Sequence, residues 1–65
     1  MPRVQSVVFH AQLTDAQERK VWNKLKNFVE VGAAQAEMRD SVDGQALTIS
    51  GHRDGDDWAF TVYAA

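Results

Sequence analysis

The spacing of apolar residues changes character along this chain, and each change predicts an element. Residues 3–11 read Arg-Val-Gln-Ser-Val-Val-Phe-His-Ala. Their β-branched and aromatic content predicts a strand. Val7, Phe9 and Ala11 fall on one face of it, and Val4, Ser6, Val8 and His10 on the other. From Val21 the spacing lengthens. Val21, Trp22, Leu25, Phe28 and Val29 lie on one stripe of a helix over about residues 15–31. Thr14 and Gln17 form a capping-box pattern at its start, Asp15 and Glu18 suit the positive end of its dipole, and Gly32 suits its stop.

After the helix the pattern returns to period two. Residues 33–38 have helix-forming composition, yet Val42-Asp43-Gly44-Gln45 carries the Asp-Gly signature of a type I′ hairpin turn. The turn favours a strand over about 34–41. Residues 45–52 and 57–63 then flank Asp54-Gly55 as a second hairpin. A two-residue turn at Asp54-Gly55 sets Leu47 opposite Val62, Ile49 opposite Phe60 and Gly51 opposite Trp58, all on one face. Trp58 would then cover the bare backbone of Gly51.

The element order is strand, helix, strand, strand, strand. One helix on a mostly antiparallel four-stranded sheet makes a two-layer α+β sandwich, a single small domain over 1–65. The expected core is Val7, Phe9, Val21, Trp22, Leu25, Phe28, Val29, Met38, Leu47, Ile49, Trp58, Phe60 and Val62. A single helix leaves the second sheet face open, with Val4, Ser6, Val8, His10, Thr48, Ser50, His52, Ala59, Thr61 and Tyr63 on it. Val4, Val8 and Tyr63 there are expected to contribute to a protein contact, with a partner or a second copy.

Length bounds what such a fold does. A 65-residue chain has a thin core, and without cysteine it has no disulfide or thiolate metal site to reinforce it. Lack of cysteine fits a cytoplasmic address. No apolar run suggests a membrane span or a secretory leader.

Catalytic patterns are weak. Ser6, Ser50, His10 and His52 fall on the open face, where no oxyanion hole is expected. His52-Arg53-Asp54 shares letters with a kinase catalytic loop, without the asparagine or glycine-rich loop that the chemistry needs. Asp54-Gly55-Asp56-Asp57 has carboxylates but not the spacing or flanking helices of a calcium loop. His10 with His52 is an incomplete zinc site. The chain is expected to be non-enzymatic, without metal or cofactor.

Charge points to binding. Residues 1–29 carry five basic against two acidic side chains, a surplus of +3, and residues 30–65 carry two against seven, −5. If Glu37, Asp40, Asp43, Asp54, Asp56 and Asp57 share one edge, they can stand in for DNA phosphates against a basic protein. In size, acidity and lack of catalytic residues, the chain resembles the small inhibitors that phages encode, including anti-CRISPR proteins. The resemblance is one of format. It implies a protein-binding inhibitor or modulator whose target is a large basic nucleic-acid enzyme or surveillance complex, blocked at its DNA site. Two alternatives remain open. Lys20, Asn23, Lys24 and Asn27, flanked by Arg19 and Lys26, line a helix stripe able to meet nucleic acid, although the isoelectric point near 5.5 argues against it. The chain can also be a small accessory subunit or homodimer module.

Overall fold

The computed structural model describes all 65 residues. The elements are β1 (Arg3–Phe9), α1 (Asp15–Glu30), β2 (Glu37–Val42), β3 (Gln45–Asp54) and β4 (Asp57–Ala64). They form one helix on one four-stranded mixed sheet of order β1-β4-β3-β2. Both hairpins are antiparallel, while β1 lies parallel to β4. β1 and β2 are therefore the two edges.

The helix begins where its capping box places it. The Gln17 N–H donates to Thr14 Oγ1 at 3.1 Å, and the Thr14 N–H donates to Gln17 Oε1 at 2.9 Å. Two orphan amide groups at the helix start are thereby satisfied. Val21, Leu25 and Val29 form the buried stripe. They share one core with Val42, Leu47, Ile49, Trp58, Phe60 and Val62. Phe9, Val7, Phe28 and Met38 pack around it, half-buried.

Five expectations are corrected. The first strand ends at Phe9, two residues early, because the chain bends at Ala11 toward the helix. The second strand spans 37–42, so Val42 joins the core. The third correction concerns β3 and β4, which are slipped by two residues: Ile49 pairs with Val62 and Gly51 with Phe60. The turn is Gly55-Asp56, with Gly55 at φ +63 as its first central residue. A type II′ turn asks for glycine there. A two-residue slip leaves every side chain on its face, so the core pattern cannot tell the two registers apart. Trp22, fourth, is only half-buried and stands beside the core instead of within it.

The fifth correction is Val4. The β1–β4 register shifts between Val4 and Ser6, which marks a bulge at Gln5. The extra residue reverses the strand's alternation. Val4 consequently packs against the core, while Ser6 and Val8 remain on the open face.

Gly51 shows why a glycine sits inside β3. A Cβ there would lie 2.8 Å from the Gln35 carbonyl oxygen, 2.9 Å from Phe60 and 3.0 Å from Trp58. The two rings stack at 5.4 Å and cover the glycine together. The Gly51 N–H donates to Ala36 O at 2.8 Å, tying the chain before β2 to the sheet.

Candidate functional site

Eight of the 16 charged side chains pair within the chain. Lys20 meets Asp43 at 2.8 Å and Lys24 meets Asp40 at 2.9 Å. Arg3 meets Asp57 at 2.7 Å, and the N-terminal ammonium meets Asp56 at 3.0 Å. Each of these pairs joins the basic first half of the chain to the acidic second half. Arg53 adds a looser contact to Asp56 at 3.7 Å. Four carboxylates of the acidic half are thus paired with the basic half inside the molecule.

The carboxylates also do not form one row. Asp40 and Asp43 lie at the β2–β3 turn, whereas Asp54, Asp56 and Asp57 lie at the β3–β4 turn, at the other end of β3. Glu37 stands apart on β2, opposite Ser50. Hydrogen bonds from Lys20 and then Gln17 hold the Asp43 carboxyl below its usual value. The ammonium of Met1 does the same for Asp56, and the bond to Asp57 raises the Arg3 guanidinium. On the helix, Lys20 and Lys24 of the basic stripe are engaged, while Arg19, Asn23, Lys26 and Asn27 face solvent.

The open face is a flat field of small and polar side chains. Its cross-strand rows include Ser6–Ala59–His52 and Val8–Thr61–Ser50–Glu37. Ser6 and His52 share a row with Ala59 between them, and His10 is stacked on Tyr63 with ring centroids 5.3 Å apart. Val8 and Tyr63 are the large apolar residues this face exposes, at 50% and 44%. Val4 is separated from them by the sheet. It lines instead a helix-side cleft of about 250 Å³ with Pro2, Arg3, Trp22, Lys26, Val29 and Glu30. Ligand pockets usually start near ~300 Å³.

The backbone at the two edges completes the picture. At the β1 edge, the His10 N–H donates to Val62 O at 2.7 Å. Strand parity then turns the N–H and C=O groups of Ser6 and Val8 toward β4, and those of Val7 and Phe9 outward. No hydrogen bond from a loop or the helix reaches these outward groups. Residues Val4 to Phe9 carry no charge. At the β2 edge, Val42 and Gln45 flank the turn as a bonded pair, so Ser41 points outward. Its N–H donates to Asp40 Oδ1 at 2.7 Å, and its carbonyl accepts from Lys24 Nζ at 2.9 Å. The open backbone of β1 is the feature that side-chain reasoning passed over. Its signal in the sequence was the uncharged run from Val4 to Phe9.

Compared with protein families, with curated proteins and with solved structures, the chain matches none of them. No helix is long and apolar enough to cross a membrane.

Proposed function

We propose that the protein is a small binding module, an inhibitor or modulator that acts by protein contact and not by catalysis. Its contact surface is the β1 edge with the adjoining open face at Val8 and Tyr63. One observation carries this reading: an uncharged edge strand offers outward backbone groups beside exposed apolar side chains. Edge strands of this kind recruit a further strand, with backbone bonds for affinity and side chains for specificity. The carboxylates and the helix lysines support a charge-led contact less well, because Asp40, Asp43, Asp56, Asp57, Lys20 and Lys24 are already paired within the chain.

The test is capture of a partner by the tagged protein from its native host, read by mass spectrometry, with three variants alongside. Val8→Glu is expected to abolish capture while changing stability by no more than about 0.5 kcal/mol, as for other exposed positions. Lys20→Glu with Lys24→Glu, and Asp54, Asp56 and Asp57→Asn, are expected to retain it. Capture that survives Val8→Glu and is lost with the aspartate variant would overturn this reading in favour of phosphate mimicry. Loss with the lysine variant alone, together with retention on DNA by the parent, would favour nucleic-acid binding.

A further inference from the structure

We infer that the strand completing the β1 edge comes from a second copy of this chain, paired antiparallel so that two four-stranded sheets become one. The inference rests on the reading of β1 as the contact edge and names its occupant. Beyond the bulge the outward groups of β1 belong to Val7 and Phe9, which limits a two-fold pairing to a few registers. With the axis at Val7, Phe9 faces Gln5 of the partner subunit and Val8 faces the partner's Ser6. With the axis at Ser6, Phe9 meets the partner's Arg3, a charge. With the axis at Val8, like meets like: Val8 faces Val8 of the partner subunit, and Val7 faces the partner's Phe9. The Val7–Phe9 pairs then exchange both backbone bonds, as outward residues of an antiparallel ladder do. Val8, exposed on the open face, and Val7 and Phe9, half-buried on the helix side, are all covered at once.

Charge permits the same occupant. Each copy carries a net charge of −2, so two copies repel unless they meet along neutral surface. Val4 to Phe9 is such a surface. The nearest charge, Arg3, is held by Asp57 of its own chain at 2.7 Å and lies toward the far end of the pairing.

Sedimentation equilibrium on the full chain reads the outcome. The parent is expected to rise from 7.3 kDa toward twice that mass between about 1 μM and 1 mM. Val8→Glu and Val8→Lys, each alone, place like charges opposite one another and are expected to stay at the single-chain mass, melting as the parent does in its dilute, single-chain state. An equimolar mixture of the two variants is expected to regain the double mass, because the opposite charges now face each other. A parent that remains at single-chain mass throughout overturns self-pairing, and so does a Val8→Glu variant that still dimerises. A mixture that fails to reassociate overturns the Val8 register. A monomeric parent whose partner capture is still lost on Val8→Glu removes the second copy as occupant while the contact edge stands.

Discussion

At one edge of the sheet, β2 carries Glu37, Arg39 and Asp40, and the outward amide and carbonyl of Ser41 are bonded to Asp40 and Lys24. At the other, β1 runs uncharged from Val4 to Phe9, and the outward groups of Val7 and Phe9 meet nothing in their own chain. Proteins commonly close sheet edges with charge, bulges or covering side chains, because a bare edge templates pairing with another chain. Here one edge receives a lysine from the helix and the other has only the bulge at Gln5, near its beginning. The difference teaches that closure is selective. On β2 it covers the outward groups of Ser41, and on β1 the outward groups of Val7 and Phe9 are left without a partner in their own chain.

The largest way to break the comparison is to remove the sheet between the edges. Phe60 is 1% exposed and sits on β4, which bonds β1 to β3. Phe60→Ala is expected to cost about 3–5 kcal/mol, comparable with the whole stability of a domain this small. Circular dichroism should show a chain largely unfolded at room temperature. A melting point within a degree or two of the parent would mean that the sheet does not depend on this ring. A smaller change opens the closed edge. Asp40→Ala removes the acceptor of the Ser41 N–H and the partner of Lys24, at about 1 kcal/mol by denaturant unfolding. The Ser41 amide should then exchange faster, with Val7 and Phe9 unaffected.

The smallest effect is that of acid. Asp43 and Asp56 are held below their ordinary value of 3.8 in the folded protein. The unfolded chain therefore binds protons at these groups more readily than the folded one. Their stabilisation is fully present above the ordinary carboxylate range and is lost as pH falls through the folded values. The melting temperature should hold from neutrality to about pH 5 and decline below it. The decline should be shallower in Asp43→Asn and in high salt, because these exposed pairs are screened.

What the sequence disclosed follows the reach of each interaction. The capping box at Thr14 and Gln17, the helical stripe and the Asp43-Gly44 turn are local, and each was legible from a few neighbouring residues. Period two set the faces of β3 and β4 correctly, but it left their register open by two, since Gly55 serves a turn of either placement. The parallel pairing of β1 with β4 is a contact between the chain's ends, and no local pattern encodes it. Val4 was misplaced because one bulge residue, Gln5, inverts the alternation before it. The acidic residues were legible as a group but not as partners of Arg3, Lys20 and Lys24, which lie at least 16 positions away in the chain. Val8 and Tyr63 were found because they break the apolar-in, polar-out rule, and both are exposed on the open face.

The unequal edges are tested most directly by amide hydrogen exchange, followed residue by residue as the protein is diluted. At the lowest concentration, the amides of Val7 and Phe9 should exchange as fast as solvent-exposed groups, while the Ser41 amide on the opposite edge stays protected. As concentration rises, Val7 and Phe9 should become protected and Ser41 should not change. Protection of Val7 and Phe9 equal to that of Ser41 in the most dilute sample would show that β1 is closed within its own chain, and would contradict the account.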